Sequence, residues 1–205
     1  MSIYAVVDTN ILVSSLISRN AESAPRIVIA SVSEGRIVPM VNSEILLEYR
    51  EVLGRTKFGF SSDDISDLME VFNVRSESYM PETTSSDFKD ADDYIFYATY
   101  RMREDSYLVT GNLRHFPEEP RILSPADMVQ VLRLCDDCVR ILSEPHSDYM
   151  SEDKIMRLKK ARAAMERMRQ SAVASGVSEM TMEEIDEEIR LYREERRKKK
   201  QEEEA

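Results

Sequence analysis

Three short polar groups stand at the ends of β-rich apolar runs, and they contain the chain's first candidates for chemistry. The runs are typical of buried strands and occupy residues 3–7 (IYAVV), 36–41 (RIVPMV) and 106–110 (SYLVT). The polar groups are Asp8-Thr9-Asn10, Asn42-Ser43-Glu44 and Thr110-Gly111-Asn112. Because the binding crevice of an open α/β sheet lies at the carboxyl ends of its strands, we expect these groups to meet there. Asp8 could simply cap a helix, but an acid directly after a central strand favours a functional role.

A helix predicted over residues 43–54 brings a further acid toward the protein interior. Ser43 is its predicted N-cap. Glu48 lies three residues after Ile45 and four residues before Val52, which places its carboxylate on an apolar ridge of the helix. A charged side chain in such a row is costly to bury, so we expect it to have a partner or a function.

Three carboxylates in four residues open a later predicted helix, in the stretch Asp90-Ala91-Asp92-Asp93. Acids are common at this position as caps, and that remains the alternative for any one of them. If Asp8, Glu48 and Asp93 converge, their mutual repulsion requires a cation, and all-oxygen ligands suit Mg²⁺ or Mn²⁺. Such a site hydrolyses phosphodiesters by activating water and by neutralising charge on the scissile phosphate.

The elements that position these residues alternate between strand and helix. Helices are predicted to begin at the following places: Asp8-Thr9-Asn10, Pro25, Ser43, Ser61 or Ser62, residue 92, and Ser124-Pro125. A fourth short strand is predicted at residues 121–123, and residues 81–87 (PETTSSD) have the composition of a loop. This alternation predicts right-handed βαβ units and a parallel sheet covered on both faces.

Composition divides the 205 residues into unlike parts. All seven prolines precede residue 146, and we predict a nuclease-like domain over 1–132, a linker over 133–150 and a helical arm over 151–205. The first part has 12 basic and 21 acidic side chains, whereas residues 133–205 have 16 and 18. The net charge of −11 argues against nucleic-acid binding by bulk electrostatics, but a bound divalent ion can supply positive charge locally.

Little in the sequence indicates a membrane or an oxidising compartment. The N-terminus has no basic region before its apolar run, and no uncharged stretch is long enough to span a bilayer. The two cysteines cannot form a disulfide framework, so we expect a cytoplasmic protein. Cys135 and Cys138 form a lone C-x-x-C, and with only His146 nearby a zinc site lacks a fourth ligand.

Four ordered motifs resemble the PIN-domain ribonucleases, most closely the branch of putative toxins of type II toxin–antitoxin systems. They are VVDTNILVSSLIS, SEILLEYREVLGRTKF, DADDYIFY and YLVTGNLRHFP, and they cover about residues 3–132. The resemblance implies a three-layer α/β/α fold and cleavage of RNA with Mg²⁺ or Mn²⁺. It implies Asp8 and Asp93 as metal ligands and Glu48 as a ligand directly or through water, with Asp93 preferred to its neighbour Asp92. The residues implied to orient the carboxylates and the attacking water are Asn10, Ser43 and Thr110.

One position departs from the pattern of many PIN domains. They have an acid after the TG of the third strand, whereas this chain has Asn112. An amide ligates weakly and brings no charge, so we expect one metal or a low-affinity site. Arg114 and His115 stand beside it as candidate RNA contacts, with a solvent-facing loop pair as the alternative.

The C-terminal residues resemble the toxin-neutralising arm of the antitoxins that accompany PIN toxins. Residues 151–173 have the spacing of an amphipathic helix whose predicted apolar face begins at Ile155. Thr181 and Glu184 form a capping box before a second helix, which has a narrow apolar row of Ile185, Ile189 and Tyr192. The resemblance covers about residues 164–197 and implies a toxin–antitoxin fusion, with the arm lying on its own nuclease domain or on a neighbouring copy. The arginines that could enter the acidic pocket are Arg193, Arg196 and Arg197.

The function expected from the sequence is a metal-dependent endoribonuclease inhibited by its own arm, and we expect a homo-oligomer. The main alternative is a catalytically silent RNA- or protein-binding module, for which Asn112 is the marker. In that case the arm is a solvated tail or a dimerisation hairpin. A nuclease acting on DNA flaps is a third alternative, but the chain lacks long insertions for threading a DNA end.

Overall fold

Five parallel strands form the centre of the computed structural model, which describes residues 3–81, 91–142 and 150–203, with the backbone alone described at 91 and 136–142. The strands are β1 (Ile3–Val7), β2 (Ile37–Val41), β3 (Glu77–Ser78), β4 (Tyr107–Val109) and β5 (Ile122–Leu123). Their order in the sheet is β3-β2-β1-β4-β5, and every neighbouring pair is parallel.

Helices flank this sheet, which confirms the predicted three-layer α/β/α fold. The helices are α1 (Thr9–Ile17), α2 (Ala24–Glu34), α3 (Ser43–Leu53), α4 (Ser62–Arg75), α5 (Ala91–Tyr100), α6 (Pro125–Leu142), α7 (Glu152–Ser175) and α8 (Met182–Glu203). Short 3₁₀ turns at Leu113–His115 and Val177–Glu179 complete the described elements.

Strand β1 is the point at which the connections diverge, because it pairs with β2 on one side and with β4 on the other. Ala5 is in register with Pro39 of β2 and with Tyr107 of β4, and its side chain is fully buried. A crevice forms at the carboxyl ends of strands where the strand order changes direction in this way. Residues that follow β1 and β4 therefore share one edge of the sheet.

The capping residues in the sequence predicted most helix ends correctly, but the N-cap of α3 was predicted one residue too late. Gly35 ends α2 in the left-handed region at φ 80°, which a residue with a side chain seldom adopts. The N-cap of α3 is Asn42, whose side chain accepts a hydrogen bond from the backbone N–H of Ile45. Ser43, which we predicted as this cap, is instead the first helical residue and is exposed. Asn and Ser cap equally well, so composition could not separate neighbours.

Strand β3 and the start of the predicted linker differ from the prediction, and a few predicted positions lie outside the described residues. The two residues of β3 were not predicted as a strand, since both are exposed and polar. Helix α6 continues to Leu142, so the first residues of the predicted linker 133–150 are helical. The division into domains stays a prediction. Most of the predicted loop 81–87 and Asp90 lie outside the described residues, as does His146.

The arm packs on the rest of the chain through both of its helices. Helix α7 lies against α4 and α1, and α8 lies against α1 and α3. The buried side chains of α7 are Leu158, Ala161, Ala164, Met165, Met168 and Ala172, whereas Ile155, which we placed on the apolar face, is 41% exposed. In α8 the predicted row Ile185, Ile189 and Tyr192 is buried.

The predicted capping box also forms: the backbone N–H of Thr181 donates to Glu184 Oε2 at 2.8 Å, and the N–H of Glu184 donates to Thr181 Oγ1 at 3.3 Å. None of the described helices has the length and apolar character to cross a membrane.

Candidate active site

Asp8 lies at the carboxyl end of β1, and its side chain contacts the residue that follows the neighbouring strand β4. It holds the N-cap position of α1 but makes no side-chain capping bond, so the capping alternative does not explain it. Its Oδ2 accepts a hydrogen bond from Thr110 Oγ1 at 2.6 Å, and its backbone N–H donates to the carbonyl of Val109 at 2.9 Å. The carboxylate is 5% exposed and is fixed by the ends of two neighbouring strands.

Glu48 lies on the buried face of α3, as its spacing from Ile45 predicts, and is 3% exposed. Thr9 Oγ1 donates to its Oε1 at 2.6 Å. Thr9 is the residue between Asp8 and Asn10 to which sequence reasoning gave no role. Its hydroxyl links the start of α1 to α3 and brings two of the three predicted acids to one place.

Asp93 is the third predicted acid, and it is 4% exposed in the first turn of α5. His115 Nδ1 lies 3.0 Å from its Oδ2. The His115 side chain is nonetheless exposed, and its contact with RNA stays a prediction. Asp92, the neighbouring candidate, is only partly buried and turns instead toward Arg197 of α8, whose Nη1 lies 3.4 Å from Asp92 Oδ2.

Arg193 of α8 enters the site and joins two of the acids. Its Nε and Nη2 donate to the two oxygens of Glu48 at 3.1 and 2.9 Å, and its Nη1 donates to Asp93 Oδ1 at 2.7 Å. The side chain is 7% exposed. Burial opposes the charged guanidinium, but Glu48 and Asp93 outweigh that cost and hold the pKa of Arg193 well above its usual range. Of the three predicted arginines, this one occupies the pocket.

Arg196 and Arg197 lie at the rim rather than in the pocket. Arg196 pairs with Glu44, in the first turn of α3, and Arg197 lies near Asp92 as described above. The three predicted arm arginines are thus paired with four different acids.

The acids exceed the positive charge that faces them. Burial, and next the nearby Asp93 carboxylate, raises the pKa of Asp8 to about 7. Three carboxylates against the guanidinium of Arg193 leave a formal excess of two negative charges. Asp8, Glu48 and Asp93 offer only oxygen atoms, the donor set that Mg²⁺ and Mn²⁺ prefer, so in charge and chemistry they fit a divalent cation.

In this conformation two of the three acids are paired with an arginine. Across the described residues, no three His, Cys, Asp or Glu side chains are arranged to hold a metal ion. The guanidinium of Arg193 binds Glu48 on one side and Asp93 on the other. The two carboxylates therefore face the arginine and not a shared point in space.

The remaining predicted residues divide between the site and its surroundings. Asn10 braces the loop after β4, because its Oδ1 accepts a hydrogen bond from the backbone N–H of Gly111 at 3.1 Å. Thr110 fixes Asp8 directly. Ser43 is exposed, and Arg114 is exposed on the 3₁₀ turn beside the pocket.

Asp186 of α8 is a functional candidate that sequence reasoning missed. Its Oδ1 accepts from Asn10 Nδ2 at 2.9 Å, and its Oδ2 lies 3.4 Å from Asn112 Nδ2. Burial raises its pKa. Asp186 stands seven residues before Arg193, two helical turns on the same face, and that spacing is the signal that could have found it.

A cavity of about 530 Å³ lies between the two sides of the site. Asp8, Asp93 and Asn112 line it from the sheet, and Asp186 and Arg193 line it from α8. The arm approaches closely here, since a Cβ at Gly111 would lie 2.7 Å from Met182 Sδ. The pocket is therefore made jointly by the sheet edge and the arm.

Comparison with known families adds one finding. A family model described as PIN domain matches residues 4–114, a range that contains Asp8, Glu48 and Asp93. Searches of the curated proteins and of the solved structures each found no significant match.

Proposed function

We propose a function for this chain on the premise that it belongs to the PIN domain family, as the match over more than half of its residues establishes. PIN domains are in general nucleases, and this chain has their fold. We propose that it is an endoribonuclease dependent on Mg²⁺ or Mn²⁺, and that its own C-terminal arm holds it inactive. One observation carries the proposal: Arg193 of the arm lies between the buried carboxylates of Glu48 and Asp93, beside the cavity that Asp8 also lines.

The metal would be held by Asp8, Glu48 and Asp93. When bound, a divalent ion at such a site supplies an activated water and neutralises charge on the scissile phosphate and the leaving oxygen. The chain's own contribution is to fix the three carboxylates before substrate arrives. Thr110 occupies one oxygen of Asp8 and Thr9 occupies one oxygen of Glu48. Two of the three acids are thereby oriented by a hydroxyl, which preorganises the site.

The arm acts in this proposal as a competitor for the same carboxylates. A guanidinium satisfies two acids with charge-assisted hydrogen bonds and remains charged under all physiological conditions. As long as Arg193 stays in place, Glu48 and Asp93 cannot turn toward a shared cation. Arg196 and Arg197 hold the helix at Glu44 and Asp92, on the rim of the pocket.

The fusion of nuclease and arm supports a toxin–antitoxin origin within one chain. Both arm helices pack on the same chain's nuclease domain, which favours inhibition in cis. An arm lying on a neighbouring copy, and the homo-oligomer expected from the sequence, stay predictions. A cis arrangement makes inhibition independent of protein concentration, whereas inhibition by a neighbouring copy weakens on dilution.

A catalytically silent module is the second candidate, and Asn112 is the observation that favours it. Its amide lies between Asp186 and His115, with its Nδ2 at 2.8 Å from His115 Nε2. It therefore places no negative charge beside the three acids. In this alternative the acids and Arg193 form a structural ion-pair network.

The test is RNA cleavage by the full chain carrying Arg193→Met, with Mg²⁺ or Mn²⁺ added or removed with a chelator. We expect metal-dependent cleavage that a further Asp8→Asn substitution abolishes, which also excludes a contaminating nuclease. Metal-independent cleavage would contradict the proposal. Absence of cleavage by a folded Arg193→Met chain would favour the silent module.

A further inference from the structure

We propose that Arg55 and Lys57 bind the phosphate backbone of the RNA substrate, and that Glu188 and Glu195 of the arm cover them. The inference rests on the proposed function and names the substrate-binding part of the same surface. Arg55 and Lys57 follow directly on α3, the helix that carries Glu48. No role was assigned to them from the sequence.

Arg55 is held by two acids of α8 at once. Its Nε donates to Glu188 Oε2 at 3.1 Å, and its Nη1 and Nη2 lie 3.0 and 3.4 Å from the two oxygens of Glu195. Lys57 Nζ lies 3.4 Å from Glu188 Oε1. The two oxygens of Glu188 are therefore shared between two cations, and its side chain is only 12% exposed.

This arrangement resembles the way proteins bind a phosphate. An arginine fork with a neighbouring lysine is a common partner for anionic oxygens. Glu188 and Glu195 are seven residues apart, so they lie on one face of α8 about 10 Å apart along its axis. The carboxylate oxygens of both glutamates therefore lie against the basic pair, where phosphate oxygens could take their place.

The basic pair also lies beside the acidic site. Arg193 binds Glu48, and Glu195, two residues further along α8, binds Arg55. One stretch of the arm therefore contacts two of the acids, Glu48 and Asp93, and the basic pair. A groove of about 770 Å³ follows this contact and is lined by Arg55, Lys57 and Tyr192.

Charge explains why the nuclease domain needs such a pair. Residues 1–132 have 12 basic and 21 acidic side chains, so the domain as a whole repels a polyanion. Binding of RNA then requires local cations near the acids. Helix α8 is complementary in charge to both parts of this surface. Arg193 faces the acids of the site, and Glu188 and Glu195 face the cations that would bind the RNA phosphates.

The test measures binding of a fluorescent single-stranded RNA to the full chain with Asp8→Asn, Arg193→Met, Glu188→Gln and Glu195→Gln, which binds without cutting and leaves the basic pair uncovered. We expect Arg55→Gln and Lys57→Gln each to weaken binding about tenfold. Each should also lower the slope of log affinity against log salt by about 0.7, the value for one phosphate contact on a single strand. The matched control is Arg50→Gln, which removes an exposed charge from α3 two residues after Glu48.

A second variant uncovers the pair without touching the acidic site. Glu188→Gln with Glu195→Gln should strengthen RNA binding to the otherwise unchanged chain, while cleavage stays low because Arg193 remains in place. Unchanged affinity and salt slope in the Arg55 and Lys57 variants would overturn the inference, although cleavage by the Arg193→Met chain would leave the proposed function standing. If that chain neither binds nor cleaves RNA, both fail together.

Discussion

Arg193 and Glu48 are 145 residues apart in the sequence and form a two-point contact in which both side chains are almost fully buried. Burying two charges is expensive, and the attraction between them compensates only when the geometry is good and other hydrogen bonds are satisfied. Here Thr9 and Asp93 supply those further bonds. The contact joins the PIN domain to the C-terminal helices at two of the carboxylates that we propose hold a metal ion.

Metal binding should be stronger when Arg193 is removed. The guanidinium and a divalent ion need the same oxygens of Glu48 and Asp93, so they compete. We expect Arg193→Met to tighten Mn²⁺ binding by on the order of tenfold or more, measured by titration calorimetry without RNA. Equal affinities for Mn²⁺ in the two chains would contradict the competition.

The control for this experiment is Arg190→Met. Arg190 lies three residues before Arg193 and is exposed, and it pairs with Glu187 and Glu194 of its own helix. Its removal changes the net charge by the same amount as removal of Arg193. We therefore expect Mn²⁺ affinity to stay unchanged in this variant, and a comparable gain would show a nonspecific charge effect.

The stability of the chain should depend on pH through Asp8. Its pKa is about 7 in the folded chain and 3.8 otherwise, so between those values the folded state holds a proton that the unfolded state has lost. This group therefore favours folding at low pH, and its contribution is lost as the pH rises from about 4 to about 7. The full effect is on the order of 4 kcal/mol at most.

Asp8→Asn removes that dependence. With a chelator present, we expect the thermal stability of the variant relative to the original chain to be greater at pH 8 than at pH 5. Asp63→Asn, at an exposed position in the first turn of α4, provides a control with no such difference. The same relative stability of Asp8→Asn at both pH values would show that the carboxylate is not perturbed by burial.

The contact between Asn112 and Asp186 offers a test of arm docking by charge. Asn112→Asp sets a second carboxylate where the amide lies 3.4 Å from Asp186, and like charges repel in a partly buried site. We expect a loss of stability that a further Asp186→Asn substitution restores, with a coupling of about 1–3 kcal/mol from unfolding experiments. Additive effects of the two substitutions would mean that the arm does not lie on this loop in solution.

Much of the site could be predicted because its acids follow simple rules. Asp8 stands at the end of a strand, and Glu48 interrupts an apolar row. Arg193 likewise lies on the apolar face of its helix, four residues after Ile189. A charged side chain in an apolar row was the reason for choosing Glu48, and the same reason applies to Arg193. Sequence reasoning named it only together with two arginines that the structure places at the rim.

Other features had no local signal. Thr9 acts through a hydroxyl that reaches across to another helix, and nothing in its neighbours indicates which way it points. Strand β3 consists of two exposed polar residues that pair only because β2 lies beside them. In both cases tertiary contacts determine the conformation, and such contacts cannot be predicted from the local pattern of a single sequence.

RNA cleavage by the full chain and by its Arg193→Met and Arg190→Met variants tests the central claim most directly. All three are compared at equal concentration with Mn²⁺, after circular dichroism has shown that each is folded. We expect Arg193→Met to cleave at least about tenfold faster than the original chain, because several kcal/mol of buried ion pairing no longer hold the acids. Arg190→Met should cleave no faster than the original chain. Equal rates in all three would contradict inhibition by Arg193.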